Sequence, residues 1–124
     1  MALKMATILI VEDEVFIRQT AEFTIEDLGH EILVASDIDE ALSHLASSQS
    51  IDALFVDLRL AAVALGGCEV ANHAILGRPG LRVLYTSGKP LTEEISGLFV
   101  AGGQFLQKPY SPADLELSVG TLLQ

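Results

Sequence analysis

Six polar residues capable of chemistry follow short apolar runs in this sequence. They are the carboxylic acids Glu12, Asp13 and Asp57, the hydroxyl residues Thr86 and Ser87, and the amine Lys108. Asp57 follows the run Ala53–Val56, whose consecutive apolar residues are typical of a strand buried on both faces. A charge at the edge of a core costs on the order of several kcal/mol unless another group neutralises it. We therefore expect Asp57 to have charged partners elsewhere in the chain.

These residue types, if brought together, are suited to phosphoryl transfer. Neighbouring carboxylates repel one another, so we expect a cation between them. A hard divalent ion with oxygen ligands, Mg²⁺ for preference, fits the number of carboxylates. A carboxylate held beside such an ion can act as a nucleophile toward phosphorus and form an aspartyl-phosphate. The metal and the amine of Lys108 would neutralise the transferring phosphoryl group.

The elements that must position these residues alternate along the chain. Apolar runs predict strands at Thr7–Val11, Glu31–Ala35, Ala53–Val56, Arg82–Thr86 and Gln104–Leu106. The stretches between and after them predict helices at Glu14–Leu28, from Ser36 onward, at Gly66–Leu76, at Thr92–Val100 and from Ser111 to Leu123. This alternation predicts an α/β fold with a parallel sheet, helices on both faces and a functional crevice at the carboxyl ends of the strands. The six polar residues all lie at those ends.

Residues that favour helix ends support three of these boundaries. Gly29 stands where the first helix needs a left-handed residue after its last turn. Ser36 and Asp39 have the spacing of a capping box and predict the start of the second helix. The last helix has a stronger start, because Ser111 is followed by proline at the first helical position and by Asp114.

Composition limits the kinds of partner and compartment. The chain has 124 residues, which suits one domain, and no apolar run approaches the roughly 18 residues that a membrane span needs. The N-terminal MALKMA lacks the features of a signal peptide. A single cysteine, Cys68, fits a reducing compartment such as the cytoplasm. The net charge of −10 argues against nucleic acid and favours basic protein surfaces and metal cations as partners.

Four stretches, taken in order, resemble the receiver domain of response regulators in bacterial two-component signalling. They are ILIVEDE (8–14), LFVDLRL (54–60), LYTSG (84–88) and FLQKPYSPADL (105–115). The resemblance covers essentially the whole chain and implies one receiver domain over residues 1–124, acting as a stand-alone regulator. It also implies a flavodoxin-like (βα)5 sandwich, with a five-stranded parallel sheet of order 2-1-3-4-5.

The resemblance assigns a phosphoacceptor and a metal site. Asp57 would be the phosphoacceptor. Mg²⁺ would be held by the side chains of Glu12, Asp13 and Asp57 and by the backbone carbonyl of Arg59. Asp13 and Asp57 would be direct ligands, whereas Glu12 would act through water.

The resemblance also assigns a switch. Thr86 and Lys108 would bind phosphoryl oxygens, and Phe105 would turn inward as Thr86 moves. The Lys108–Pro109 bond would be cis, as is usual in this family. One departure concerns residues 61–67, AAVALGG, which lack the proline that the family usually has soon after the acceptor strand. The resemblance therefore does not determine the path of this loop.

The function implied is that of a phosphoacceptor switch rather than an enzyme, with only self-phosphorylation and self-dephosphorylation of its own. A histidine kinase or histidine phosphotransfer protein would supply the phosphoryl group, and a downstream protein target would read it. We expect a monomer or weak homodimer that binds neither nucleic acid nor membrane. One alternative is a receiver-like interaction module without phosphoryl chemistry. Another is a phosphatase of the aspartyl-phosphate type, but Arg59 stands where such enzymes carry their second acid.

Overall fold

The computed structural model describes residues 5–124. The strands are β1 (Thr7–Val11), β2 (Glu31–Ala35), β3 (Ala53–Asp57), β4 (Arg82–Ser87) and β5 (Gln104–Gln107). The helices are α1 (Val15–Asp27), α2 (Ile38–Ala46), α3 (Gly66–Gly77), α4 (Glu93–Ser96) and α5 (Pro112–Leu122). The first four residues of the MALKMA stretch lie outside the described part of the chain. No helix within residues 5–124 is both long enough and apolar enough to cross a membrane.

All five strands form one parallel sheet in the order β2-β1-β3-β4-β5, which confirms the predicted topology. The register places Val11 beside Val56 and Asp57 beside Thr86. Every residue of β3 is buried, as its apolar sequence predicts for a central strand covered on both faces. The carboxyl ends of these central strands are therefore fixed by packing from both sides.

The two faces of the sheet carry separate halves of the core. On one face, Leu9, Leu54 and Val83 pack with the buried side chains of α2 and α3. On the other face, Phe55 and Leu84 pack with the buried side chains of α1 and α5. Because neighbouring strand residues point to opposite faces, the apolar runs of β1, β3 and β4 supply both halves at once.

Two of the three predicted helix ends are confirmed. Gly29 adopts a positive φ of 92° directly after Leu28, the C-cap of α1, at a position where residues with a Cβ are disfavoured. Ser111 forms the capping box of α5, because its hydroxyl accepts from the Asp114 N–H while the Asp114 carboxylate accepts from the Ser111 N–H, both at 3.0 Å.

The start of α2 differs from the prediction. The cap is Asp37, whose Oδ1 accepts from the Glu40 N–H at 2.8 Å, rather than Ser36 paired with Asp39. The Ser36 hydroxyl instead donates to the Glu40 carboxylate. The capping-box prediction was therefore one residue early, because aspartate is as good a cap as serine and either can occupy the position.

The fourth helix is much shorter than the predicted Thr92–Val100. Thr92 does cap it, but α4 ends at Ser96 and the chain continues through turns. Beyond it, the Val100 N–H donates to the buried hydroxyl of Tyr85 at 3.0 Å, and the Phe99 ring stacks on Tyr85 with centroids 3.8 Å apart. These contacts hold residues 99 and 100 against β4. Gly97 has low helix propensity, so the helix does not continue through this segment.

A pair of glycine variants tests how tightly α3 packs on the end of β3. A Cβ at Gly67 would lie 2.3 Å from the Asp57 carbonyl oxygen, whereas a Cβ at Gly120 in α5 meets nothing within 4 Å. We expect Gly67→Ala to lower the free energy of unfolding by about 1–3 kcal/mol through overpacking. Gly120→Ala should raise it by about 0.5–1 kcal/mol through helix propensity. Urea denaturation measures both, and equal effects of the two substitutions would contradict the close packing.

Candidate functional site

The residues predicted to take part in chemistry lie together at the carboxyl edge of the sheet. Glu12 and Asp13 follow β1, Asp57 ends β3, and Lys108 follows β5. They line a cleft of about 600 Å³, together with Arg59 and residues of the loop after β4. The parallel sheet thus brings together side chains that are up to 96 positions apart in numbering, from residue 12 to residue 108.

Three carboxylates form the base of this cleft. Glu12, Asp13 and Asp57 each place an oxygen within 4.8 Å of the others. Asp13 is exposed, but Glu12 and Asp57 are only 4% and 7% exposed. An all-oxygen donor set of this kind, open to solvent on one side, fits a hard divalent cation that keeps several of its waters. The acidic cluster is therefore compatible with Mg²⁺, as the sequence predicts.

Lys108 offsets part of the negative charge of the two buried acids. Its Nζ lies 2.7 Å from Glu12 Oε1 and 2.7 Å from Asp57 Oδ2. Burial alone would lower the pKa of Lys108, but the hydrogen bonds to Asp57 and Glu12 and the charges of both acids outweigh it and raise that pKa. The lysine is therefore firmly cationic. The Lys108–Pro109 peptide bond is cis, as the resemblance implies.

The pKa of Glu12 is raised well above its ordinary value. Burial raises the pKa of its carboxyl from 4.5 to about 7, and the charge of Asp57 adds to this. The hydrogen bond and charge of Lys108 and a hydrogen bond from the Glu14 N–H oppose the shift without cancelling it. A buried acid with one shared cation is thus only partly stabilised in its ionised form.

The two residues predicted to form the switch, Thr86 and Phe105, do not line the cleft. Thr86 is buried, and its hydroxyl donates to the Leu106 carbonyl of β5 at 2.7 Å. Phe105 is half-buried and packs beside Phe99, with ring centroids 6.4 Å apart. Ser87 lies next to Thr86 at the cleft, where its hydroxyl accepts from the Lys89 N–H at 3.1 Å.

Arg59 lies at the rim of the cleft. Its side chain is exposed and belongs to none of the ion pairs formed within residues 5–124. The side chain therefore lies beside the acidic cluster.

Two contacts at the site were missed by sequence reasoning. Arg18 of α1 donates from Nη1 to the Glu12 carbonyl at 3.0 Å, and the backbone N–H of Ala61 donates to Asp13 Oδ2 at 3.1 Å. A backbone donor leaves no mark in residue type. The absence of proline from residues 61–67 left the path of this loop undetermined, and no residue in it indicated a contact with Asp13.

The shifted pKa of Glu12 predicts a pH dependence of stability for the metal-free protein. Between pH 4.5 and about 7 the folded state binds more protons than the unfolded state, so the free energy of unfolding should fall as pH rises. The contribution is complete below pH 4.5 and is lost as pH passes about 7. Glu12→Gln should flatten this part of the curve, measured by urea denaturation in EDTA. Glu26→Gln, at an exposed position of α1, is the control and should follow the unsubstituted protein. Parallel curves for Glu12→Gln and the unsubstituted protein would contradict the burial argument.

Comparison with known proteins agrees with this geometry. Among curated proteins, the chain is 30% identical over 122 residues to the alginate biosynthesis transcriptional regulatory protein AlgB of Pseudomonas aeruginosa, covering 98% of this chain and 26% of that protein. It is 27% identical over 118 residues to the alkaline phosphatase synthesis transcriptional regulatory protein PhoP of Bacillus subtilis, covering 94% and 48%. The chain therefore spans about half or less of the length of these relatives.

Solved structures show the same fold over nearly whole chains. A response regulator receiver protein from Sinorhizobium medicae matches with a TM-score of 0.86 and 30% identity, covering 98% of this chain and 97% of that one. The chemotaxis response regulator CheY4 of Vibrio cholerae matches with a TM-score of 0.83 and 25% identity, covering 97% and 100%. The family described as "Response regulator receiver domain" matches residues 8–119. The chain belongs to the response regulator receiver domain family, whose members are phosphoacceptors of two-component signalling.

Proposed function

We propose that Asp57 accepts a phosphoryl group from a phosphohistidine of a histidine kinase or phosphotransfer protein, with Mg²⁺ bound by the acidic cluster. The observation that carries this proposal is the setting of Asp57. It ends a fully buried strand, has Lys108 Nζ at 2.7 Å, and shares an oxygen cluster with Glu12 and Asp13. Carboxylate, ammonium and metal ligands are the parts that phosphoryl transfer to an aspartate requires.

The chemistry of each residue follows from its place in the cleft. Asp57 Oδ2 accepts the Lys108 hydrogen bond, so the carboxylate is oriented before a donor arrives. An Asp57 oxygen would attack phosphorus as the phosphorus–nitrogen bond of the donor breaks. Bound Mg²⁺, held by the Glu12, Asp13 and Asp57 side chains and the Arg59 carbonyl, would supply positive charge to the phosphoryl oxygens. Lys108 would move from the two acids onto one of these oxygens.

The two alternative functions fit this setting less well. An interaction module without phosphoryl chemistry has no need to bury Glu12 and Asp57 beside one lysine, an arrangement that carries a desolvation cost. A phosphatase of the aspartyl-phosphate type needs a general acid two residues after the nucleophile, and this chain has Arg59 there instead of a carboxylic acid. We therefore propose no enzymatic turnover beyond self-phosphorylation and self-dephosphorylation.

Thr86 would transmit the effect of phosphorylation to the rest of the domain. Its hydroxyl would leave the Leu106 carbonyl and donate to a phosphoryl oxygen, and the space vacated would let Phe105 turn further inward. The surface that changes would lie around residues 92–105 and α5. The four-residue α4 supports this, because an element with so little regular structure and no buried residue costs little to rearrange.

Partners of the domain follow from its charge and family. We propose a histidine kinase or histidine phosphotransfer protein as the upstream partner and another protein as the downstream target. Both would bind a chain whose net charge is −10. That charge disfavours direct contact with nucleic acid, although the curated relatives are named as transcriptional regulators. We further propose that the domain works in the cytoplasm as a monomer or weak homodimer.

Incubation with acetyl phosphate and Mg²⁺ tests the phosphoacceptor. Intact mass analysis should show one added phosphoryl group on the unsubstituted protein and none on Asp57→Asn, because only Asp57 lies between the acids and Lys108. Asp39→Asn, at an exposed position of α2, is the control and should be phosphorylated normally. A mass gain that survives in Asp57→Asn would contradict the assignment, and no gain in any variant would favour the interaction module.

Paired substitutions of Thr86 test the switch. Thr86→Ala removes the hydroxyl and should abolish the change in hydrogen exchange at β5 and residues 92–103 on phosphorylation, while Asp57 still accepts phosphate. Thr86→Ser keeps the hydroxyl and should retain at least about half of the change. Hydrogen exchange with mass spectrometry on phosphorylated and unphosphorylated samples measures both. An undiminished response in Thr86→Ala would show that the signal takes another route.

A further inference from the structure

A tight turn follows the acceptor strand at Leu60–Val63. The N–H groups of Leu60 and Val63 each donate to the other residue's carbonyl at 3.0 Å, so the two residues close the turn with a pair of hydrogen bonds. Ala61 has a φ of +53°, and no other residue of the turn has a positive φ. A positive φ at the first central residue of a two-residue turn favours glycine, so alanine is an unusual residue at this position.

The segments before and after this turn are anchored in the fold. Leu58 and Leu60 are 4% and 1% exposed, so the segment between strand and turn is fixed by buried side chains. On the other side, the Gly67 N–H donates to the Leu58 carbonyl at 2.9 Å, and α3 lies too close to the Asp57 backbone to admit a Cβ at Gly67. The turn therefore has little freedom to shift relative to the acceptor strand.

Because the turn is anchored in this way, the Ala61 N–H points toward Asp13. It donates to Asp13 Oδ2 at 3.1 Å, across 48 positions of sequence and onto the loop after β1. Alanine in the left-handed region is unfavourable, and such backbone conformations persist where surrounding structure holds them. The carboxylate of Asp13 is otherwise exposed, so this contact from β3–α3 is what restricts its rotation.

We propose that Ala61 is a positioning residue for the cation site: its backbone N–H holds one oxygen of Asp13 so that the remaining lone pairs face Glu12 and Asp57. This inference rests on the proposed Mg²⁺ site and adds to it a backbone donor outside the acidic residues. Proline at position 61 could not serve, because it has no N–H and its φ is fixed near −65°. Glycine could serve, because it keeps the N–H and adopts a positive φ without strain.

Backbone chemistry gives the sharpest test. Replacing Ala61 by lactic acid exchanges the amide for an ester and removes the N–H while leaving the side chain intact. We expect Mg²⁺ to bind this variant about fivefold more weakly, the equivalent of about 1 kcal/mol for one hydrogen bond. The same ester at Ala62 is the matched control, because the Ala62 N–H donates no hydrogen bond within residues 5–124. Isothermal titration with MgCl₂ alone measures the affinities.

Ordinary substitutions and a spectroscopic readout complete the experiment. Ala61→Gly should bind Mg²⁺ within about twofold of the unsubstituted protein, whereas Ala61→Pro should weaken binding at least as much as the ester. The Ala61 amide proton should shift during the Mg²⁺ titration with the same dissociation constant as the metal, followed by NMR. A purely structural role of the turn would change stability without this shift.

The outcomes separate this inference from the proposal on which it rests. If the unsubstituted protein binds no Mg²⁺, the metal site itself is wrong, and the role of Ala61 falls with it. If the unsubstituted protein binds Mg²⁺ and the Ala61 ester binds it equally or more tightly, only the positioning role is overturned. Equal weakening by the Ala61 and Ala62 esters would overturn it as well, because the effect would then belong to the ester and not to the hydrogen bond.

Discussion

The ammonium of Lys108 between Glu12 and Asp57 is the interaction on which the site depends. Two carboxylates that are almost fully buried would repel each other and lose their hydration, and one lysine at 2.7 Å from each offsets both costs. The compensation is incomplete, since the pKa of Glu12 still rises to about 7. With Asp13, three carboxylates share this one ammonium, and a divalent cation would offset the remaining negative charge.

The parallel sheet makes this arrangement possible because it fixes where each strand ends. Asp57 and Thr86 are register partners near the ends of β3 and β4, so the proposed acceptor and the proposed first switch residue are adjacent across the sheet. Thr86 in turn pairs with Leu106 of β5 and donates its hydroxyl to that residue's carbonyl. A change of charge at Asp57 thus has a short, hydrogen-bonded route to the edge strand and to Phe105.

Flexibility and rigidity are distributed unevenly around the cleft. After β3, the turn at Leu60–Val63 is closed by two hydrogen bonds and anchored by buried leucines, so it presents a fixed backbone donor to Asp13. After β4, the chain forms a helix of only four residues, and Tyr85 holds the following segment through the Val100 N–H. The side of the cleft proposed to bind a cation is thus the more rigid one, and the side proposed to transmit a signal has less regular structure.

The sequence by itself determined the sheet, its helices and the identity of the acidic and basic residues at the strand ends, because hydrophobic periodicity and local capping are properties of short segments. The order of the strands came from resemblance. Only the tertiary structure decided that α4 stops at Ser96, because the contacts of Phe99 and Val100 with Tyr85 join segments that are distant in sequence. The Ala61 N–H bond to Asp13 and the raised pKa of Glu12 are likewise beyond sequence reasoning, since a backbone donor and the depth of burial exist only once separate elements have packed together.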